Sequence, residues 1–258
     1  LINAVLSVKI REAEKKARDK EEKETTIKLY NTLLNSLSHE LRTPISTILG
    51  AVDTLKENKA KLTLTNELAL LTEIDIASIR LNRQVENLLN MSRLESGMLK
   101  LNVDWCDINE LIHAVIRKIP VPTTHQILFE TNESLPLFKL DAGLIEQVIH
   151  NIIHNAIQYT PEQSIIEIRA AYLNKGLVIT VADNGNGFPE KEIQHVFEKF
   201  YRLPHTKTGG SGLGLSISKG FIDAHKGTIT LENNKKGGAT FTIELPVETS
   251  FLNNLKNE

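Results

Sequence analysis

Apolar residues recur every seven positions at Ile27, Leu34, Leu41, Ile48 and Leu55, with Tyr30 and Leu37 filling the alternate seam positions. A heptad stripe of this kind predicts a helix, running to about Glu57, that pairs along one face. Asn58 to Asn66 is polar and threonine-rich and predicts a hairpin turn. A second periodic run puts Leu71, Ile74, Leu81, Val85 and Leu88 on one helical face, and Gly97 suits the end of that helix. Two antiparallel helices bury too little core alone, so pairing with a second copy into a four-helix bundle is the economical arrangement. Upstream, the apolar patch Leu1–Ile10 leads into a charge-dense run from Arg11 to Glu24. Its Glu and Lys residues stand three and four apart, the spacing of a solvated helical connector.

The pattern changes after Gly97. Leu99, Leu101 and Val103 alternate like a short strand, and Asp107 is placed to cap a helix over Ile108–Ile119 that Pro120 and Pro122 stop. Gln126–Thr131 and Leu137–Leu140 have strand character, and Asp141 is placed to cap a long helix from Ala142 to Tyr159. Paired strands follow at Ile165–Tyr172 and Leu177–Ala182, around Asn174-Lys175-Gly176. Beyond a glycine-punctuated region come a helix over Leu215–His225 and a hairpin of Thr228–Glu232 with Ala239–Leu245. Strands and helices intermix without a regular βαβ repeat, which predicts an α+β chain: a helical hairpin, then an α/β sandwich of a mixed sheet packed on helices. The domains expected are a connector (1–26), a helical dimerisation unit (27–97), the sandwich (98–248) and a tail (249–258).

Composition narrows the partners. The formal net charge of the 258 residues is -2 with both signs interspersed, so nothing marks a nucleic-acid surface. One cysteine, Cys106, excludes a disulfide framework and fits a reducing compartment. No apolar run has the length of a membrane span. The chain begins with Leu1, so we expect a cytoplasmic fragment of a longer protein whose sensory or membrane portion lies upstream.

Candidate chemistry lies in separate stretches. In the first heptad helix His39 falls at an outward position, beside Glu40 and four residues before Thr43, and Pro44 follows. An exposed imidazole beside an acid can receive a chemical group; alone, it is equally a solvated surface histidine. On the helix 142–159, Gln147, Asn151 and Asn155 step by four along a face closed by Gln158 and Tyr159. Carboxamide oxygens suit a Mg²⁺ that already bridges phosphates, or they decorate a surface. His150 and His154 share metal-pair spacing but no third ligand is recognisable nearby. Asp183-Asn184-Gly185-Asn186-Gly187 follows an apolar strand, either as a simple turn or as an acid presented to an exocyclic amine. Gly209-Gly210-Ser211-Gly212-Leu213-Gly214 opens a helix, where backbone N–H groups favour phosphate. Neither the P-loop nor the dinucleotide signature fits it. Between the glycine segments, Phe197-Glu198-Lys199-Phe200-Tyr201-Arg202 offers two cations, and Leu203–Gly209 has the makings of a mobile lid.

In order, Ser38–Pro44, His150–Thr160, Asp183–Pro189, Phe197–Arg202 and Gly210–Leu215 resemble the H, N, G1, F and G2 boxes of bacterial sensor histidine kinases. The resemblance covers residues 27–246. It implies a homodimeric phosphotransfer hairpin followed by a Bergerat-type ATP-binding domain, with ATP and Mg²⁺ as cofactors and a response regulator receiver domain as partner. It implies His39 as phosphoacceptor, Glu40 as the acid that orients it and takes its proton, and Thr43 as a residue that positions water for regulator dephosphorylation. Asn155 with Asn151 would hold Mg²⁺, and Asp183 would recognise adenine. Gly185, Gly187, Gly210, Gly212 and Gly214, with Leu213 between the last two, would shape the pocket and lid. Arg202 and Lys199 would meet phosphates, and Tyr159 matches the aromatic that follows the N box. Gln158 departs from the Lys or Arg usual in the family, which implies weaker nucleotide binding or reliance on Arg202 and Lys207.

Related Bergerat ATPases carry a water-activating Glu where this chain has Asn151, so transfer to a side chain is expected over direct hydrolysis. A Bergerat ATPase and a non-catalytic dimeric scaffold are the competing readings. Asp104-Trp105 and Leu137–Asp141 resemble the potassium-responsive, KdpD-type branch, in which membrane helices of the bacterial inner membrane would precede this segment.

Overall fold

The computed structural model describes residues 38, 40–58, 62–119, 124–203, 211–235 and 237–251. His39, Lys207, Gly210, the connector and the heptad positions Ile27 to Leu37 lie outside the described residues. The chain divides into two compact units, and the division falls within one helix, between Val85 and Glu86.

The first unit is a helical hairpin. Helix α1 covers residues 40–57 and continues through Pro44, and α2 spans Leu64–Glu95. Pro44 and Ala51 are buried and Leu41, Ile48 and Leu55 half-buried, so the heptad stripe is the inward face. The polar turn is shorter than the pattern predicts, because Thr63 caps α2: its Oγ1 accepts the Asn66 N–H at 3.3 Å. The face predicted for α2 also needs correction. Ile74, Ala77 and Leu81 turn inward, whereas Leu71 and Val85 are exposed, in company with Leu64 and Leu68. The helix therefore carries two apolar stripes, and one of them is uncovered within a single chain.

The second unit begins with the last turns of α2. Met91 is 4% exposed and joins the sandwich core, and Leu94 packs against Gly220. This is why the compact units divide at Glu86, whereas the expected domain boundary follows Gly97. Gly97 itself ends the helix at φ +65, with the Met98 N–H reaching Arg93 O at 3.1 Å, as in a Schellman cap.

Strand β1 (Asp104–Cys106) pairs antiparallel with β3 (Leu137–Leu140), which pairs with β8 (Thr249–Ser250). The strand expected at 99–103 is thus displaced. The chain there is anchored by a side chain instead, the Asn102 N–H donating to Asp141 Oδ2 at 2.8 Å. The main sheet has five strands: β2 (Gln126–Phe129), β4 (Ile165–Leu173), β5 (Gly176–Asp183), β7 (Ala239–Leu245) and β6 (Thr228–Asn233), in that spatial order. Only the β2–β4 pair is parallel, so the sheet is mixed as expected.

Three helices supply the other layer: α3 (Ile108–Arg117), α4 (Ala142–Tyr159) and α5 (Gly214–Ala224). Ile145, Val148, Ile149, Ile152 and Ile153 of α4 are essentially inaccessible, against Ile166, Ile168, Leu177, Ile179 and Val181 of the alternating strands. The caps predicted from sequence form. Asp107 Oδ1 accepts from the N–H groups of Asn109 and Glu110, and Asp141 Oδ1 from that of Leu144. The α4 cap is also tied to the end of α5, because buried His225 donates from Nδ1 to Phe221 O and accepts the Asp141 N–H at Nε2. Helix α4 is therefore fixed at its first turn, which sets the rotation of the polar face it carries further along.

Candidate functional site

Asp183 ends β5, and its position is over-determined. Oδ1 accepts from the Gly185 N–H at 2.9 Å and from the Ala239 N–H at 3.3 Å. Two donors on one oxygen leave Oδ2 as the acceptor that can face a ligand. The loop after Asp183 runs against its neighbours too closely for side chains. A Cβ on Gly185 would lie 2.6 Å from Thr160 Cγ2, and one on Gly187 would lie 2.6 Å from Asn233 Oδ1.

Helix α4 carries the predicted amides in two different states. Asn151 donates from Nδ2 to Gly214 O at 3.2 Å and to Ser218 Oγ at 3.3 Å, both in the first turns of α5. Its Oδ1 faces no donor among the described residues. Asn155, one turn on, is half-buried, and its carboxamide bonds to none of the described residues. The structure thus fixes α5 on α4 through one amide nitrogen and leaves carboxamide oxygens uncommitted. Hard, neutral oxygens of this kind fit a divalent cation that carries phosphate ligands. Gln158 and Tyr159 are exposed on the last turn.

The glycine-rich stretch before α5 is held by the aromatic segment. The Phe200 N–H donates to Gly212 O at 3.1 Å, and a Cβ on Gly212 would lie 2.7 Å from Phe200 C. Gly212 has φ +65, and Phe200 itself is left-handed at φ +63, an uncommon state for a bulky residue. Gly214 is different: a Cβ there meets nothing closer than 3.9 Å. Its part is played by its carbonyl, which receives Asn151. Leu213 is 2% exposed, so its side chain is a core element and only its backbone is at the loop.

Two predicted phosphate contacts part company. Lys199 Nζ donates to Glu95 Oε1 at 2.8 Å, in the last turn of α2, instead of standing open toward the glycine segments. Arg202 is exposed close to the end of the described stretch.

In the helical hairpin, Glu40 Oε2 accepts from Gln84 Nε2 at 3.2 Å, and Thr43 is exposed with its carbonyl taken by Thr47 Oγ1. Arg83 lies near the same carboxylate. Burial and the neighbouring Arg80 lower its pKa, and Glu40 partly offsets them.

These features meet their counterparts in known proteins. Residues 30–97 match the His Kinase A (phospho-acceptor) domain, and residues 140–249 match the histidine kinase-, DNA gyrase B-, and HSP90-like ATPase family. The chain belongs to the sensor histidine kinases. It is 33% identical over 249 residues to the sensor protein KdpD of Escherichia coli strain K12, covering 96% of this chain and 27% of that protein. The kinase core thus spans about a quarter of that relative's length. It resembles full-length ShkA in complex with AMPPNP, with TM-score 0.63, 26% identity, and coverage of 84% of this chain and 46% of that one. It also resembles the histidine kinase ThkA in complex with the response regulator protein TrrA, with TM-score 0.57, 28% identity, and coverage of 82% and 60%. Among the described residues no helix of the kinase core is long and apolar enough to cross a membrane.

Within each unit, residues that hold the candidate side chains escape a reading by motif. Gln84 meets Glu40 across 44 positions, and Asn233 and Asn234 reach the Asp183–Phe188 loop across 45 and 51. Thr160, read only as the last residue of the His150–Thr160 stretch, abuts Gly185. The one local hint was the pair Asn233-Asn234 before a double glycine, which alone signals a turn.

Proposed function

We propose that this chain is the catalytic core of a homodimeric sensor kinase that phosphorylates His39 from Mg·ATP and passes the group to an aspartate of a response regulator. The observation that carries this reading is Asp183: its pinned Oδ1 leaves Oδ2 for the exocyclic amine of adenine, at a strand end in the unit that bears the uncommitted Asn155 amide. Asn155, with Asn151 Oδ1, would hold Mg²⁺, which when bound offsets charge on the triphosphate. An imidazole nitrogen of His39 forms a bond to the γ-phosphorus as the bond to the ADP oxygen breaks, and the ring proton passes to Glu40. Gln84 holds that carboxylate from α2.

The uncovered stripe of Leu64, Leu68 and Leu71, with Ile45 and Leu49 on α1, is the surface on which a second copy would complete a four-helix bundle. Thr43 would serve regulator dephosphorylation. Asn151 speaks against the ATPase reading, because a carboxamide cannot act as a base toward water. The likeness to KdpD supports a potassium-responsive sensor anchored in the inner membrane through upstream segments. Incubation with γ-labelled ATP and Mg²⁺ tests the central step. Acid-labile, alkali-stable label that disappears in His39→Gln is the expected result. Turnover without label would instead establish an ATPase, and neither label nor turnover a scaffold.

A further inference from the structure

The turn between β6 and β7 reaches across the sheet and holds the loop that follows β5. Asn234 Nδ2 donates to the Asp183 carbonyl at 3.0 Å, and Asn234 Oδ1 accepts from Thr240 Oγ1 at 2.5 Å. Asn233 binds the far end of the same loop at two points. Its Oδ1 accepts the Phe188 N–H at 2.8 Å, and its Nδ2 donates to Phe188 O at 2.7 Å. One side-chain amide thus does for Phe188 what a neighbouring strand would do. The turn closes on itself through the Asn234 N–H to Gly238 O at 2.9 Å and the Gly237 N–H to Asn234 O at 3.0 Å.

Gly238 has φ +90, and a Cβ there would lie 1.9 Å from Asp183 O, so the hairpin backbone is pressed onto the acid's own backbone. The next residue, Ala239, supplies one of the two N–H donors on Asp183 Oδ1. Asp183 is therefore gripped at its carbonyl by Asn234, at its carboxylate by Ala239, and over its backbone by Gly238.

We infer that the β6–β7 turn is a positioning element for base recognition, with Asn234 setting the orientation of Asp183 and Asn233 setting the course of the loop. This rests on the reading of Asp183 as the adenine-recognising acid, and adds the residues that decide how well it discriminates. The physical reason is directional. A carboxylate oxygen reads an exocyclic amine only when the donor lies near its plane, and two hairpin contacts on the same residue fix that plane. A turn that merely stabilises the sheet would make no difference between an amino and a carbonyl group at the base.

ADP and IDP differ at the six-position edge of the base, where IDP carries a carbonyl in place of the amine and a proton on the adjacent N1. Affinities of the full chain for each, with Mg²⁺, are to be measured by calorimetry beside the melting temperature. Asn234→Ala is expected to weaken ADP about tenfold, the scale of one lost hydrogen bond, and IDP by less than about twofold. Equal weakening of both nucleotides, or unchanged ADP affinity, would overturn the inference. Should Asn234→Ala not fold, Thr240→Val removes the hydroxyl that orients the Asn234 amide while suiting a strand. It is expected to lower the ADP-to-IDP preference about threefold, the scale of a fraction of a hydrogen bond, and an unchanged preference overturns the idea. Asp183→Asn separates the two layers. If it leaves the preference intact, the adenine assignment fails and the hairpin's role with it; if it abolishes the preference while Asn234→Ala does not, only the hairpin's role fails.

Discussion

Gly185 and Thr160 touch where the loop after β5 passes the end of α4: a Cβ on Gly185 would lie 2.6 Å from Thr160 Cγ2 and 2.9 Å from Thr160 Cβ. Thr160 cannot retreat freely. Its hydroxyl donates to Ala156 O at 2.7 Å, which uses its one hydrogen, so it accepts at 3.0 Å from His125 Nε2–H. Gly185→Ala should therefore displace the loop bearing Asp183 and weaken ADP binding by about tenfold, the scale of a lost interaction. Thr160→Ser keeps both hydrogen bonds and removes only the methyl group. The double variant should recover part of the loss, because the methyl contact goes while the 2.9 Å contact with Thr160 Cβ stays, a coupling of about 1 kcal/mol between neighbours. Simple addition of the two effects would mean that the contact does not govern the loop.

The glycines before α5 are not equivalent, although the motif treats them alike. At Gly212 a side chain would meet Phe200 and Tyr201 backbone atoms at 2.7–2.9 Å, from a left-handed conformation. Backbone cannot yield as a flexible side chain can, so Gly212→Ala should lower stability by roughly 2 kcal/mol or more, combining strain and overpacking. Gly214→Ala meets only Asn151 Cγ and Nδ2, at 3.9 Å, and replaces a glycine by the best helix former in the first turn of α5. It should leave the urea midpoint unchanged or raised. Comparable losses at both positions would refute the distinction.

Much of this was legible in the sequence wherever a local signal and a period agreed. Asp141 followed by an apolar 3.6-residue pattern gave α4 with its cap, and the alternation of Leu137–Leu140 gave β3. The reading failed where the deciding partner is distant. Leu99, Leu101 and Val103 alternate well, yet Asp141 claims Asn102 and the ladder forms only from Asp104 to Cys106. Leu71 and Val85 belong to a stripe that a single chain leaves bare, and a one-dimensional pattern does not say which of two apolar faces is satisfied at home. Lys199 looked like a phosphate ligand because it lies near glycines in sequence; Glu95, 104 positions away, takes it. Asp183 stands out in the sequence at the end of its apolar strand, but the asparagines that hold it do not, because nothing in a turn motif announces what lies across the sheet.

Gln84 separates activity from stability. Its Nε2 supports Glu40, while its Oε1 is buried with no partner among the described residues. Gln84→Leu removes the supporting donor but also the unsatisfied acceptor, whose burial costs about 1–3 kcal/mol. The melting temperature should therefore hold or rise while the rate of His39 phosphorylation falls. Gln84→Glu should be worse for the rate, because a second carboxylate beside Glu40 disfavours its ionised form and moves the acid limb of the pH–rate profile upward. A rate that simply tracks the melting temperature in both variants would mean that Gln84 is only packing.

Cys106 offers a pH test of the sandwich itself. Burial beside the α3 cap, reinforced by Asp107 and then Glu110, pushes its thiol up from 9.0 to about 11. Because the folded value is raised, the proton is held more tightly in the native state. Its contribution to stability is complete below pH 9 and is lost as pH rises through 9 toward 11. The thiolate is the reactive form, so iodoacetamide at pH 9 should label the folded chain on the order of fifty times more slowly than the urea-unfolded chain, by ionisation alone. The gap should close above pH 11, apart from what steric shielding retains. Asp107→Asn removes the charge with the larger effect of the two and should bring the onset of labelling to lower pH. With one cysteine in the chain the adduct can form nowhere else, so equal rates in the folded and unfolded states at pH 9 would rule out the half-buried placement of β1 against β3.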